Sequence, residues 1–162
     1  MEEKFTFFWK HRFGQWSRCK FEVDGHTYNC CEQYMMAEKA RLFNDEESLK
    51  KIMASTNPKE QKALGRKVKN FDYEKWNEEK TKIVYKGNYH RFNQNEEDLK
   101  LLFETDGTTL VEASPYDKIW GIGMKENDPR ALDRDQWIGQ NLLGETLTKV
   151  RRDLMTVHTE WM

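Results

Sequence analysis

The stretch CCEQYMMAEKARLF, residues 30–43, predicts the central helix of the fold, because it contains good helix formers and neither glycine nor proline. Asn29 precedes it as a candidate N-cap, and Glu32 follows three residues later, which is the spacing of a capping box. Asn44 and Asp45 end the pattern. We therefore expect a helix from about Cys30 to Phe43.

One face of this predicted helix carries charge. Glu32, Met36, Lys39 and Phe43 are spaced i, i+4, i+7 and i+11, so a carboxylate and an amine interrupt an apolar stripe. If the face points inward, both charges are costly unless they meet each other or a ligand. The alternative is that Glu32 only caps the helix and Lys39 extends into water. These residues alone leave both interpretations open.

The segments on either side of this helix predict further elements. A short hairpin pairs residues 21–23 with residues 26–28 through Asp24 and Gly25, a pair that readily takes positive φ. Helices are expected from Asp45 to Met53, from Pro58 to Gly65 after the cap Asn57, from Tyr73 to Phe92 after the cap Asp72, from Glu96 to Glu104 and from Asn141 onward, with a strand over Thr108–Ala113. The fold class is therefore α+β and mainly helical, in a single domain over residues 1–162.

Composition excludes several classes of protein. The chain has 162 residues, with 27 Lys plus Arg against 28 Asp plus Glu, so a dense basic face for duplex DNA is not expected. No apolar run reaches the roughly 18 residues needed to cross a bilayer, and the first residues lack the regions of a signal peptide. We expect a cytoplasmic protein that does not bind membranes. The six Trp, six Tyr and nine Phe favour a folded chain.

The cysteines and histidines do not form a metal-binding pattern. Cys19, Cys30 and Cys31 lack CxxC spacing, and the four histidines are scattered. We predict free thiols, no metal and no cofactor.

A second candidate cluster is EASPYDKIWGIG, residues 112–123. Asp117 and Trp120 follow the predicted strand, and Gly121 and Gly123 would let backbone amides approach a ligand closely. Taken alone, the stretch is also compatible with an ordinary turn around a packed indole.

A third cluster is WIGQNLLG, residues 137–144. Asn141 can cap the last helix, and the amides after it can receive an anion such as a phosphate. Arg66 and Arg151 are candidate phosphate partners, although solvated surface arginines are the alternative.

Taken in order, these segments resemble the NADAR family, also called YbiA-like or DUF1768. The likeness covers almost the whole chain, and five motifs in the right order make it specific. The matching stretches include residues 13–21, 32–40, 64–66, 110–114, 120–123 and 137–144, together with Trp76 and Asp117.

The resemblance implies a compact, mainly helical YbiA-like domain that cleaves N-glycosidic bonds. Bacterial YbiA-like members hydrolyse ribosylamino-pyrimidine phosphates of early riboflavin biosynthesis, and other NADAR members remove ADP-ribose from guanine bases, including those of nucleic acid. The implied catalytic residues are Glu32, Lys39 and Asp117, and the predicted substrate-binding residues are Gln15, Trp16, Arg66, Trp76, Trp120, Gly121, Gly123 and Asn141.

Some positions depart from the family pattern. Family members often have Ser where this chain has Gly14, and Tyr and Pro where it has Ser17 and Arg18. Some carry an acid where this chain has Ile122, so the acidic roles are expected to rest on Glu32 and Asp117.

The resulting hypothesis is that Lys39 attacks C1 of the ribose and forms a transient imine, assisted by Glu32 and Asp117. The expected partner is a small ribosyl phosphate or an ADP-ribosyl substrate. Two other classes remain open at this point: a module that binds ADP-ribose or another NAD-derived ligand without cleaving it, and a structural protein with a degenerate site.

Overall fold

The computed structural model describes residues 2–159, which form two compact units. Residues 15–95 form one, here called the helical unit, and the other, here called the strand unit, joins residues 2–14 to residues 96–159. A single domain over residues 1–162 stays a prediction.

The elements confirm an α+β fold that is mainly helical. The strands are β1 (Phe5–Phe8), β2 (Phe21–Val23), β3 (His26–Tyr28) and β4 (Thr109–Glu112). The α-helices are α1 (Cys31–Leu42), α2 (Glu46–Ala54), α3 (Pro58–Arg66), α4 (Tyr73–Asn93), α5 (Glu96–Glu104) and α6 (Leu142–Val157). Two 3₁₀ turns, at Pro129–Leu132 and Arg134–Gln136, precede α6.

The helical unit is built around α1, which packs against α2, α3 and α4. The hairpin of β2 and β3 is antiparallel and turns through Asp24 and Gly25, both with positive φ, as predicted. Gly87 of α4 permits a close approach to α1, since a Cβ atom there would lie 2.6 Å from the ring of Tyr34. Close helix packing therefore fixes which faces of α1 and α4 meet.

The start of α1 differs from the prediction by one residue. Cys30, not Asn29, is the N-cap, and its Sγ accepts a hydrogen bond from the backbone N–H of Gln33 at 3.4 Å. The side chain of Asn29 instead donates to the carbonyl of Ser55 at 3.0 Å. The predicted capping box is therefore wrong, and capping does not explain Glu32.

The strand unit contains a parallel pair that the sequence did not predict in full. β1 pairs with β4 in parallel, from Phe5 opposite Thr109 to Phe8 opposite Glu112, and α6 packs against β4. β1 has only four residues, and its partner lies about a hundred residues later, so local pattern gives little sign of the pairing. Trp137 packs on the apolar core beside these strands.

Two further observations on residues 2–159 concern membrane-spanning helices and the cysteines. Over this range, no helix combines the length and apolar character needed to span a bilayer. Cys19, Cys30 and Cys31 are free thiols, which confirms that prediction.

Candidate active site

Glu32 lies near the start of α1 and is buried, with 7% of its surface exposed. Its Oε1 accepts a hydrogen bond of 2.9 Å from the indole Nε1 of Trp16. Its backbone N–H donates to the carbonyl of Gln15, also at 2.9 Å. The segment before the hairpin is thereby held against α1, with Trp16 beside the carboxylate.

Lys39 lies two helical turns after Glu32 and is half-buried between aromatic rings. Its Nζ is 4.8 Å from the ring centre of Phe71 and 5.3 Å from that of Trp76. Burial lowers the pKa of Lys39; the carboxylate of Glu32 opposes this shift, and the charge of Arg66 adds to it. More of the amine is therefore neutral than on a solvated lysine, and the neutral form is the nucleophile.

Arg66 is brought close to α1 by the glycine before it. A Cβ atom at Gly65 would lie 1.9 Å from the Sδ of Met36, which shares its face of α1 with Glu32 and Lys39. A larger residue at this position would displace the side chain of Met36. The exposed Arg66 at the end of α3 then acts on the pKa of Lys39.

Gln15 and Trp16 are held by different partners. The Oε1 of Gln15 accepts a hydrogen bond of 2.9 Å from the Nδ2 of Asn88, a fully buried residue of α4. Trp16 is 46% exposed, and the Nζ of Lys62 lies 6.0 Å from its ring centre. Gln15 is thus fixed in the wall of the unit, whereas Trp16 keeps part of its ring open for stacking.

The helical unit therefore brings together six of the predicted residues. Gln15, Trp16 and Glu32 are joined by hydrogen bonds, while Trp76 and Arg66 act on Lys39. Sequence analysis missed Phe71, Lys62 and Asn88. Asn88 lies twelve residues after Trp76, about a third of a turn away around α4, so helical spacing does not point to it.

The remaining predicted residues belong to the strand unit, where Asp117 is part of a loop after β4. Its Oδ1 accepts two backbone hydrogen bonds, from Ile119 at 2.9 Å and Trp120 at 2.8 Å. This is the geometry of an Asx turn, in which a carboxylate orders its own loop. Asp117 is partly exposed, and so is Trp120.

Close contacts within the chain account for the two glycines of the loop. A Cβ atom at Gly121 would lie 2.9 Å from the carbonyl oxygen of Glu112, and Gly123 has a φ of 75°. Both positions therefore require glycine for the path of the backbone itself. A role for them in ligand binding stays a prediction.

Asn141 is buried, and both groups of its amide bind β4. Its Oδ1 accepts from the N–H of Glu112 at 2.9 Å, and its Nδ2 donates to the carbonyl of Leu110 at 3.0 Å. It is the N-cap residue of α6, as predicted, but its side chain makes no capping hydrogen bond to that helix. The left-handed backbone at Asn141, with φ of 53°, turns the amide toward the strand. Its predicted contact with substrate is untested.

The surroundings of Arg151 fit neither interpretation from the sequence, a phosphate partner or a solvated surface arginine. It is buried, and its guanidinium donates to the carbonyl oxygens of Thr105 and Thr108 and to the Thr105 hydroxyl. It is therefore neither a solvated arginine nor available in this form as a phosphate partner. Its role in this structure is to hold the turn between α5 and β4.

No group of three or more His, Cys, Asp or Glu side chains that could hold a metal ion occurs among residues 2–159. The side chains that the candidate site brings together include a buried carboxylate, an amine with a lowered pKa and indole rings.

Comparisons with known proteins agree with the resemblance. The NADAR domain model matches residues 7–155. N-glycosidase R617 of Acanthamoeba polyphaga mimivirus is 43% identical over 148 residues, covering 88% of this chain and 87% of that protein. The chloroplastic riboflavin biosynthesis protein PYRR of Arabidopsis thaliana is 30% identical over 111 residues, which cover 66% of this chain but 17% of that protein.

A solved structure extends the likeness to the fold. N-glycosidase YbiA of Escherichia coli is 28% identical over 142 residues, covering 88% of this chain and 80% of that protein. The NMR structure of E. coli YbiA matches with a TM-score of 0.79 at 25% identity, covering 99% of this chain and 90% of that one. Because the family model matches residues 7–155, this chain belongs to the NADAR family.

Proposed function

We propose that this protein is a hydrolase that cleaves the C1–N bond between ribose and a base, and that its substrate is a ribosylamino-pyrimidine phosphate. The observation that carries the proposal is the arrangement on α1, where a buried Glu32 accepts from Trp16 and Lys39 has a lowered pKa beside two aromatic rings.

Relatives support the reaction class more strongly than the substrate. R617 and YbiA are both called N-glycosidases, and each aligns over most of this chain. The pyrimidine substrate is favoured by PYRR, whose name refers to riboflavin biosynthesis, although this chain matches only 17% of that longer protein. The assignment to the hydrolases therefore rests on relatives that align over 87% and 80% of their own length. The choice of substrate rests on a relative that aligns over 17% of its length.

Glu32 suits the electronic demand of the reaction. Breaking a ribosyl C1–N bond develops positive charge at C1 and the ring oxygen, and a nearby carboxylate stabilises that charge. Burial of Glu32 strengthens this effect, because less water screens the charge. The hydrogen bond from Trp16 fixes the position of one carboxylate oxygen.

Lys39 supplies the nucleophile in the proposed sequence. Its neutral amine bonds to C1, the C1–N bond to the base breaks, and the base leaves with the electron pair and a proton. Opening of the sugar ring gives an imine between C1 and Nζ. Water then adds to C1 and releases Lys39, so the net change is addition of water across the C1–N bond.

Aromatic side chains complete the proposed site. Trp76 lies beside the amine of Lys39, and the open part of the Trp16 ring can stack on a base. The resemblance implies active-site roles for Asp117 and Trp120, and the hypothesis assigns Asp117 to the ribose hydroxyls or the cation and Trp120 to stacking on the base. We propose the same roles here as predictions for the strand unit.

The partly open Trp16 also accommodates a larger ligand, which keeps removal of ADP-ribose from guanine as the second candidate. A side-by-side assay tests the choice: purified protein is incubated with a ribosylamino-pyrimidine phosphate and with ADP-ribosylated guanosine, and free base is measured. We expect faster release from the pyrimidine. Faster release from guanosine would select the second candidate, and binding without any release would identify a non-catalytic module.

The imine is tested by adding borohydride during turnover and mapping the adduct by mass spectrometry. We expect a reduced ribosyl adduct on Lys39 in the wild type and in Lys62→Ala, but none in Lys39→Arg, which keeps the charge without a nucleophilic amine. Activity in Lys39→Ala without any adduct in the wild type would leave direct hydrolysis assisted by carboxylates.

A further inference from the structure

Phe71 lies in the turn between α3 and α4, outside the residues assigned so far, and its ring contacts the amine of Lys39. The Nζ of Lys39 is 4.8 Å from the centre of this ring, closer than the 5.3 Å that separates it from the ring centre of Trp76. Distances below about 6 Å between a cation and a ring centre are those of a cation–π interaction. The nitrogen assigned to the reaction therefore lies within reach of the electron-rich faces of two rings.

The turn before α4 fixes the position of Phe71. The backbone N–H of Lys69 donates to the Oδ2 of Asp45 at 2.9 Å, and the side chain of Asn70 donates to the carbonyl of Phe43 at 3.5 Å. Asn70 has a left-handed backbone with φ of 62°, a conformation that asparagine adopts more readily than most residues. The ring of Phe71 packs against that of Phe43, with the ring centres 5.4 Å apart. These contacts tie the ring to the end of α1.

Phe43 explains why this ring lies beside Lys39. Lys39 and Phe43 are spaced i, i+4 at the end of α1, so their side chains lie on the same face. Phe43 is buried, whereas Phe71 is 45% exposed. Phe71 thus holds part of its ring against α1, beside the amine, while the rest of the ring is open to solvent.

The proposed reaction places a positive charge on the nitrogen that Phe71 contacts. The neutral Nζ donates its electron pair to C1, and the base leaves with the electron pair of the C1–N bond and a proton. When the C1–O bond of the sugar ring breaks, its electron pair goes to the oxygen, which takes a proton from solvent, and the nitrogen forms a C=N bond. The resulting iminium carries one positive charge until water adds to C1. An aromatic face attracts this cation more strongly than it attracts the neutral amine.

We propose that Phe71 is a catalytic residue that stabilises the positive charge on the Lys39 nitrogen in the iminium and in the step that leads to it. The inference rests on the proposed function, because it requires that an imine forms on Lys39. An interaction that is weak with the neutral amine and strong with the charged nitrogen lowers the barrier to reaction. The same interaction stabilises the protonated amine, so it opposes the effect of burial on the pKa of Lys39.

Fluorinated phenylalanines test the electrons of the ring with little change in its size. Proteins with one, two or three fluorine atoms on the ring of residue 71 are compared with the same series at Phe103, a partly exposed residue of α5. Each fluorine withdraws electrons from the ring face and weakens its attraction for a cation. We expect the single-turnover rate of base release to fall stepwise, by about 3- to 30-fold in total. Phe71→Leu, which has no ring, should fall at least as far, and the Phe103 series should match the wild type.

The pKa of Lys39 gives a second readout, which a role in packing alone would not change in this way. A cation–π contact favours the charged amine and so raises its pKa, which means that each fluorine at residue 71 should lower the pKa. The pKa is followed by NMR without substrate, with the signal assigned through Lys39→Arg. More of the amine is then neutral at a given pH, so a shortage of the nucleophile cannot explain a slower rate. A rate and a pKa that both stay constant along the series would overturn the inference.

Labelling from the product side separates this inference from the proposed function. The open-chain aldehyde of ribose condenses with the amine of Lys39 and loses water to give the same iminium, which cyanoborohydride reduces. Labelling is measured by mass spectrometry at a pH above the midpoint of the Lys39 titration. Slower labelling of Lys39 along the series at residue 71 supports the inference even if no substrate is cleaved.

Two other outcomes oppose the inference. If substrate is cleaved and Lys39 is labelled equally fast in every protein of the series, the inference fails and the proposed function stands. If Lys39 acquires no adduct from substrate or from ribose, both the imine and the role of Phe71 are wrong.

Discussion

The two acidic residues assigned to catalysis, Glu32 and Asp117, lie in very different surroundings. Glu32 is buried on a helix, and the indole of Trp16, from another segment, donates to it. Asp117 is partly exposed in a loop, and the backbone of that same loop donates twice to one of its oxygens. The first carboxylate is positioned by tertiary structure, whereas the second organises the segment that contains it.

This difference suggests separate roles for the two carboxylates, an electrostatic role for Glu32 and a structural role for Asp117. The buried carboxylate of Glu32 acts on the pKa of Lys39, which is an electrostatic effect on a group assigned to the reaction. The contacts of Asp117 already have a structural purpose, because they order the turn that leads to Trp120. We therefore expect the charge of Glu32 to matter more for the reaction than the charge of Asp117.

Glu32→Gln should have the largest effect. The amide keeps the size and can still accept from Trp16, but it carries no charge and cannot transfer a proton as a carboxylate does. We expect kcat to fall about 10²- to 10⁴-fold, measured as base released under saturating substrate. Glu38→Gln, on the same helix and paired with Arg41 near the surface, is the control and should stay close to the wild type.

A loss of only a few fold in a folded Glu32→Gln protein would contradict the assignment of Glu32. Glu32 would then match the family sequence pattern, but its charge would not contribute to the reaction.

Asp117 is tested by a pair of variants that separate charge from turn geometry. In Asp117→Asn the amide oxygen can still accept from Ile119 and Trp120, so we expect an unchanged Tm and a loss of about tenfold in kcat/KM. Asp117→Ala removes both bonds and should also lower the free energy of unfolding by about 1 kcal/mol. Thermal melts and kinetics on both variants measure the two effects independently.

The comparison of the two acids fails if Asp117→Asn loses as much activity as Glu32→Gln with its Tm intact. The charge of Asp117 would then be as important as that of Glu32, and the backbone bonds would serve to position a catalytic carboxylate.

Sequence reasoning located the helices well but was less successful with contacts. The limits of α5 and the caps Asn57 and Asp72 follow from local preferences, and the structure confirms them. The cap of α1 was not predicted correctly. The side chain of Asn29 binds Ser55, a residue distant in sequence, and Cys30 caps the helix.

The same limit applies to the candidate site. The face shared by Glu32 and Lys39 was visible as helical spacing, but spacing cannot show that Trp16 donates to Glu32. Asn141 is the N-cap residue of α6, as its position in the sequence indicated, but spacing could not show that its side chain binds a strand.

The smallest effect we predict is a shift in pH dependence, and its sign tests whether Lys39 is the nucleophile. The rate of imine trapping by cyanoborohydride should rise with pH as Lys39 loses its proton, with a midpoint below the ordinary pKa of a lysine. Arg66 lowers this pKa, so Arg66→Gln should move the rise to higher pH. Glu32 raises it, so Glu32→Gln should move the rise of its residual trapping rate to lower pH.

Opposite shifts are informative because general damage to the protein would not produce them. Lys67→Gln, at an exposed neighbour of Arg66, is the matched control and should leave the midpoint unchanged. Raising the ionic strength should reduce the shift in Arg66→Gln more than that in Glu32→Gln, since Arg66 is exposed and Glu32 is buried. Shifts of the same sign in both variants would mean that the titrating group is not Lys39, and the amine would lose its place beside Glu32 in the proposed reaction.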